Sequence, residues 1–347
     1  MTTIKDVACK AGVSISTVSA TLNSTKYVSD ELQKRVFTAV EAVGYTPNIA
    51  AQSLKTGTTN IIGLILPDIT NPFFAVLARA VETAASNLKY MVLLCNSDED
   101  PDKEKDFLRL LRTHQVAGII LAPSGSGREH GIWLTDTVKT PVVMVDRTVE
   151  GVTWDSVVSL NKDGARRAVT HLIERGHSLI GGVFGRNHVS TIKDRLAGYK
   201  EAIKAAGYIV DPGLIRMNSG DQEQARQAAQ ALLNLPVRPT ALFASNSHIL
   251  QGVMHAIHNH GLRCPEDISV TGFDGMDWAD LMHPPMTTVE QSAAKMGEKA
   301  VNLLLRRLDK SYDKPRRITL STQFLVRDSS APLSVSIRNQ LVKKQQR

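Results

Sequence analysis

The sequence predicts a small all-α unit at its N-terminus, then an α/β core of two doubly wound parallel-sheet lobes. Two patterns lead to this reading. Residues 2–23 place apolar side chains at helical spacing on both sides of a glycine, as two short helices joined by a turn would. From residue 60 onward, short continuous apolar runs alternate with helix-length stretches. Strands of that kind, separated by helices, belong to parallel sheets covered on both faces.

In the first helix, Ile4, Val7, Ala8 and Ala11 form one apolar face, and Gly12 follows, where a positive φ reverses the chain cheaply. Val13 plugs the turn, and Ser14 is a good N-cap for the second helix. That helix is expected to bury Val18 and Leu22 against the first. Its other positions are Ile15, Ser16, Thr17, Ser19, Ala20 and Asn23. Hydroxyls are common there, where a core-facing helix would carry more carbon. One reading is an ordinary helical hairpin with a solvated face. The other is a helix-turn-helix, in which Ile15, Ser16 and Ala20 share the outward face that looks into a DNA major groove. In that reading Thr17, Ser19 and Asn23 are short donors suited to phosphate oxygens.

The following segments favour the second reading. Ser29 or Asp30 caps a third helix with a stripe of Leu32, Val36, Val40 and Val43, and Gly44 ends it. Three short helices in ~45 residues make a minimal DNA-binding bundle. Pro47 and Asn48 then start a fourth helix of about two turns, a length marginal alone in water. Leu54, near its end, either packs on the following domain or wedges between base pairs from the minor groove.

In the α/β region the apolar runs are 61–66, 91–95, 118–122, 142–146, 157–160, 180–184, 241–244 and 268–273. Helical stretches cover 72–88, 103–114, 163–175, 195–206, 222–233 and 247–259. So many strands exceed one comfortable sheet, which implies two lobes. Ligands of such sheets bind beyond the carboxyl ends of the strands. Those ends carry Asp68, Asn71, Asp98, Asp146, Arg147, Asn246 and Asp274, with Phe73 and Phe74 close by. This mixture suits a polar, hydroxylated small molecule such as a sugar. Arg186, His188, Lys193 and Arg195 cluster in sequence near the cleft. They fit either an acidic ligand, such as a sugar acid, or a solvated basic face.

Charge and cysteine content narrow the function classes. The net charge of +7 is uneven: residues 1–58 carry +2, the last 17 residues carry +4, and the middle carries +1. The basic tail, 331–347, is expected to be disordered. Cys9, Cys95 and Cys264 are scattered and suggest neither a disulfide frame nor a zinc site. No apolar run approaches membrane-spanning length. The chain opens on the helical motif without an apolar signal region, so a cytoplasmic location is expected.

Residues 2–58 resemble the headpiece and hinge of the LacI/GalR family of bacterial transcriptional regulators. The resemblance rests on Thr3 to Ala8, Ala11-Gly12-Val13-Ser14, Thr17-Val18-Ser19, Asn23, Gly44-Tyr45, Pro47-Asn48 and Ser53-Leu54-Lys55. It implies base reading by Ile15, Ser16 and Ala20, and phosphate contacts by Thr3, Ser14, Thr17, Ser19, Asn23 and Asn48. It also implies a minor-groove wedge at Leu54, with Tyr45 and Lys55 at the DNA interface. Many members carry arginine where this chain has Ala20 and Gln52. Without an arginine at 20, bidentate guanine reading from that position is absent.

The resemblance continues to about residue 330 through Val145-Asp146-Arg147, Asn161 to Gly164, Arg175-Gly176-His177, Arg195 to Tyr199, Gly272-Phe273-Asp274 and Pro284 to Gln291. It implies a core like a periplasmic binding protein, with crossovers near 161, 291 and 322. Effector contacts are implied at Phe73, Asp146, Thr191, Arg195, Asn246, Asp274 and Gln291. Ser247 stands where sugar binders often have aspartate, and Gln222 where some have an aromatic stacker. The domains expected are a head at 1–46, a hinge at 47–58 and a core at 59–330. The first lobe takes about 59–160 and 292–321, and the second takes 161–291 and 322–330.

His248, His255, His258 and His260 invite a metal reading, but their spacing completes no tetrahedral set. No phosphate-binding loop, nucleophile elbow or dinucleotide fingerprint is present. The expectation is therefore a homodimeric, non-enzymatic repressor without cofactor or metal. It would bind a pseudo-palindromic operator and be released by a sugar or sugar acid. The alternative is a solute-binding protein with no transcriptional role.

Overall fold

The computed structural model describes residues 2–23, 26–45, 59–218, 220–275, 279–311 and 313–334. They fall into two compact units, Met1–Thr59 and Asn60–Arg347.

The first unit holds α1 (Ile4–Ala11), α2 (Ile15–Asn23) and α3 (Asp30–Val43). At the start of α1 the Thr3 amide and hydroxyl both donate to Asp6 Oδ2, at 2.8 Å each, so the side chain three positions on serves the first turn. Gly12 leaves α1 at φ 63°, the left-handed conformation that glycine adopts without a Cβ penalty. Ser14 Oγ accepts the Thr17 amide at 3.1 Å and caps α2. Val7, Ala8, Ala11, Val18, Val36 and Ala39 form the buried centre, ringed by Ile4, Val13, Leu22, Val40, Val43 and Tyr45. The stripe expected on α3 gains Ala39, while Leu32 is only half-buried. A small residue at 39 lets the helices approach closely. Arg35 adds a tie that spacing does not reveal: its Nη2 donates to Ala11 O at 2.7 Å, satisfying a carbonyl at the end of α1.

The second unit carries two six-stranded sheets. In chain order the elements are β1 (Ile61–Leu66), α4 (Pro72–Asn87), β2 (Met91–Asn96), α5 (Pro101–Thr113), β3 (Gly118–Leu121), α6 (Gly127–Thr137), β4 (Val142–Val145) and β5 (Asp155–Ser159). Then come α7 (Asn161–Glu174), β6 (Ile180–Phe184), α8 (Ser190–Ala205), β7 (Ile215–Met217), α9 (Gln222–Leu233), β8 (Ala241–Ala244), α10 (Ser247–Asn259), β9 (Ser269–Phe273) and β10 (Thr287–Glu290). The last are α11 (Ala293–Leu308), β11 (Arg317–Leu320) and β12 (Gln323–Leu325). The first sheet has the order β11-β5-β4-β3-β1-β2, and the second β12-β10-β9-β8-β6-β7. All pairings are parallel except β10 with β12. The chain passes between the sheets after β5, after β10 and between β11 and β12.

The central strands of each sheet are buried on both faces, while the edge strands β2 and β11 are partly exposed. Phe74, Leu77 and Val81 of α4 pack with Met296, Ala300 and Leu304 of α11. Leu108 and Leu111 of α5 and Leu134 of α6 close the opposite face. In the second lobe α9 and α10 cover one side through Leu232, Leu250 and Val253. The other side is covered by α7 and α8 through Leu172, Tyr199 and Ile203. Helix pairs meet backbone to backbone where a glycine permits it. A Cβ on Gly198 of α8 would lie 2.1 Å from the Lys162 carbonyl of α7.

Several elements differ from the sequence expectation. The short strands β7, β10, β11 and β12 and the helices α6 and α11 add to the expected set. Helix α8 starts at Ser190, five residues before the expected Arg195, and Gly127 opens α6. Residues 331–334, expected to begin a disordered tail, dock on the second lobe. There the Ala331 amide donates to Ser269 Oγ at 3.0 Å and the Leu333 amide to Arg175 O at 2.8 Å. The rest of that tail and the hinge segment from 46 to 58 lie outside the described residues. No helix among the described residues is long and apolar enough to cross a membrane.

Gly198→Ala is expected to lower the unfolding free energy by about 1–3 kcal/mol, the range for overpacking a tight contact. Urea denaturation would measure this, and an unchanged midpoint would contradict so close a crossing of α7 and α8.

Candidate functional site

The head presents one face of α2. Val18 is fully buried against α1 and α3, whereas Ile15 is 44% exposed. Ser16 is exposed, and Ala20, Thr17 and Ser19 are half-buried. The hydroxyls are not idle: Ser14 Oγ lies 2.7 Å from Ser16 Oγ and 2.8 Å from Thr17 Oγ1. This chain of hydroxyls holds donors in fixed positions at the N-terminus of α2. The partial positive charge of a helix start also favours a phosphate there. Thr3 sits at the start of α1, with its hydroxyl on Asp6. Tyr45 packs against the head's core. Asn48, Leu54, Lys55 and the side chain of Asn23 lie outside the described residues.

The second unit has a cavity of about 580 Å³ between the lobes. It is bounded by the loops that leave β1, β2 and β4 of the first sheet and β6, β8 and β9 of the second. The carboxyl ends of both sheets therefore face one space, as the doubly wound topology requires. Of the residues singled out from the sequence, Phe73, Asp146, Thr191, Arg195, Asn246 and Asp274 line it. Gln291 does not. It supports two residues that do, donating to Asp274 Oδ1 at 2.7 Å and hydrogen-bonding Asp146.

Arg195 organises the second lobe's share of the wall. Its guanidinium is 3% exposed. Nε donates to Asn161 Oδ1 at 2.8 Å, and Nη1 donates to Ser245 O at 2.6 Å and to Asp274 Oδ2 at 3.0 Å. The cation also lies 3.7 Å from the centroid of the Phe273 ring. A charge this deep needs all of these partners. Asn246 Oδ1 caps α10 by accepting the Ile249 amide at 2.8 Å.

The first lobe contributes Asp146, Arg147 and Glu99. Asp146 is buried, and its Oδ1 has no hydrogen-bond partner. Burial, reinforced by neighbouring Asp274, pushes its pKa up to about 6, against the pull of Arg147 and Arg195. The Nε of Arg147 makes no hydrogen bond but lies 3.6 Å from Asp146 Oδ2, an ion pair within the first lobe. Glu99 and Arg147 form a two-armed ion pair with both contacts at 2.7 Å. Spacing gave no hint of this pair, since its members lie 48 residues apart.

The backbone is strained around the same space. Asp98, Glu99, Asp146 and Asp274 all have positive φ, between 54° and 64°. Aspartate tolerates this conformation through its short side chain, whereas Glu99 gains no such relief, and a residue of that kind persists where surrounding structure over-determines it. All four border the one cavity. Among the described residues no group of three or more His, Cys, Asp or Glu is placed to hold a metal ion.

Comparison with known proteins agrees with both regions. A family model described as bacterial regulatory proteins, lacI family, matches residues 3–48. One for a periplasmic binding protein-like domain matches residues 169–330. An HTH-type transcriptional repressor PurR from Aliivibrio salmonicida is 34% identical over 95% of this chain and 99% of its own length. A ribose operon repressor from Halalkalibacterium halodurans is 36% identical over 95% and 97%. Among solved structures, a Lac repressor dimer bound to operator and the anti-inducer ONPF superposes with a TM-score of 0.85. It is 25% identical and covers 95% of this chain and 99% of that one. A complex of the regulator CelR with cellobiose gives 0.72 at 28% identity, covering 95% and 100%.

The raised pKa of Asp146 sets a pH signature. The folded state holds its proton up to about 6, above the ordinary carboxylate range, so the stability this confers is lost as pH rises through 6. Asp146→Asn, which tolerates the left-handed backbone, should therefore melt above wild type at pH 8, with a gain of up to about 3 kcal/mol. The difference should vanish below about pH 4. A melting difference that is flat with pH would show that Asp146 is not held protonated.

Proposed function

The chain belongs to the LacI family of bacterial regulators and is a DNA-binding transcriptional repressor, and from that premise we propose that it is released from its operator by a sugar-class effector bound between the lobes. The observation that carries the DNA half is the two-faced α2, with Val18 buried and Ile15 and Ser16 turned outward. Two heads place their second helices in successive major grooves of a pseudo-palindrome. Ile15, Ser16 and Ala20 meet base edges, and Thr3, Ser14, Thr17, Ser19, Asn23 and Asn48 meet phosphates. Tyr45 and Lys55 lie along the same interface. Leu54 from each subunit opens the central base step from the minor groove. Cofactors and catalytic residues have no part in this cycle, which runs in the cytoplasm with the DNA.

The effector half rests on the cavity, whose wall carries polar side chains of both lobes, among them Asp68, Asn71, Gln222, Asn246 and Gln251. A hydroxylated ligand held there touches both lobes and favours one arrangement of them. A coupling of about 1–3 kcal/mol between lobe arrangement and head spacing shifts operator affinity roughly 5- to 150-fold. The solute-binding alternative leaves the hydroxyl-lined head without a role.

Two copies are needed to span a two-fold operator. Edge strand β2 supplies a surface for this. Met91, Leu93 and Leu94 are exposed on it, beside exposed Val76 and Leu88. An apolar edge strand left open invites pairing, and the operator-bound relative is a dimer.

Three outcomes are expected. In a gel shift the purified chain retards DNA from its own promoter region, and an aldose panel contains a member that releases it; no retardation at low salt would overturn the repressor reading. Leu54→Ala weakens specific binding while sparing nonspecific binding, and equal losses of both would remove the wedge. Leu94→Glu shifts the protein towards monomer in sedimentation velocity and lowers operator affinity with it. A dimer that persists would move the interface elsewhere.

A further inference from the structure

We infer that Glu99 is a built-in counter-ion that occupies the Arg147 guanidinium from within the cleft and so reserves the cavity for uncharged ligands. The inference rests on the proposed reading of the cleft as the effector site. Arg186, His188, Lys193 and Arg195 stand close together in sequence, and taken alone they suit an acid. In the structure only Arg186 and Arg195 of these line the cavity, beside Arg147, and Arg147 is held by a carboxylate of the protein itself.

Glu99 follows β2, on the first lobe. Its two carboxylate oxygens take both arms of the Arg147 guanidinium, the geometry in which an arginine would otherwise grip a ligand carboxylate. Arg147 is held flat for this purpose: Nη1 also donates to Pro123 O at 3.2 Å, and the cation lies 5.6 Å from the Phe74 ring centroid. From the second lobe, Arg186 Nη1 reaches the Glu99 backbone carbonyl at 3.4 Å. Burial works to raise the Glu99 pKa, but Arg147, then Arg186 and His188, outweigh it and keep the carboxyl below its usual range. Arg195, the remaining cavity arginine, is committed to Asp274. Arg147, largely covered, and Arg195, fully buried, are thus both matched by protein carboxylates.

The backbone supplies an independent observation. Glu99 sits at φ 57°. Asp and Asn tolerate this conformation because their short side chains bond locally, whereas a glutamate gains no such relief. A residue with poor local fit stands where its carboxylate meets Arg147. An anionic ligand gripping Arg147 would have to displace Glu99, leaving a half-buried carboxylate without its cation.

The test is calorimetric titration of the full-length wild type, Glu99→Gln, Glu99→Ala and Glu99→Asp with glucuronate, gluconate and inorganic sulfate, beside a panel of uncharged aldoses. Wild type and Glu99→Asp should bind the acids and sulfate weakly. Glu99→Gln and Glu99→Ala should bind at least one of them about tenfold or more tighter, the gain from one charge-assisted hydrogen bond. Anion affinity unchanged in both neutral variants overturns the role of Glu99. So does tight glucuronate or gluconate binding by the wild type, a result that needs no variant to fold. If the anion gain appears but no aldose binds the wild type, Glu99 stands as counter-ion and the cleft fails as a sugar site. If an aldose binds but no anion gain appears, the cleft stands and Glu99 has no part in selecting charge.

Discussion

The cleft depends on one buried cation. Arg195 lies on α8, and its partners are the start of α7, the end of β8 and the residue after β9. Those three points are far apart in sequence, and the guanidinium fixes their spacing in the fold. A buried arginine without these partners would be strongly destabilising, so the wall forms whole or not at all. Asp274 is held from a second side by Gln291, next to the crossover back to the first lobe. Two side chains, Asp274 and Gln291, thus join Arg195 to the crossover between the sheets.

Stability and function pull apart at Asp146. Burial raises its pKa to about 6 against the pull of Arg147 and Arg195, so the carboxylate that shapes this part of the wall also costs stability at neutral pH. The strained backbone at Asp98, Glu99, Asp146 and Asp274 belongs to the same arrangement.

Much of this was legible in the sequence, for local reasons. The head follows from apolar spacing and from Gly12 and Gly44, both of which adopt the left-handed conformation. The cleft follows from where continuous apolar strands end. What escaped notice depends on distant partners or on short, mixed strands. Arg35 caps a helix 24 residues away, and nothing in its neighbourhood marks it for that. Strand β11 reads Arg-Ile-Thr-Leu, too brief to declare a period. Residues 331–334 look like the start of a polar tail, yet Ala331 O also accepts from buried His177 at 3.0 Å. Gln291 matched a family pattern, but its reach to the cavity depended on the path of a crossover.

The left-handed residues also bear on how such a site can change over generations. Positions 98, 146 and 274 already hold aspartate, and the conformation they share admits glycine, asparagine and aspartate at little cost. Branched and bulky side chains are shut out there by the main chain, whatever ligand might reward them. Variation in what the cleft recognises is then channelled to wall positions on helices, such as Thr191, Gln222 and His248. One part of the wall is conservative by geometry, and the other is free to drift.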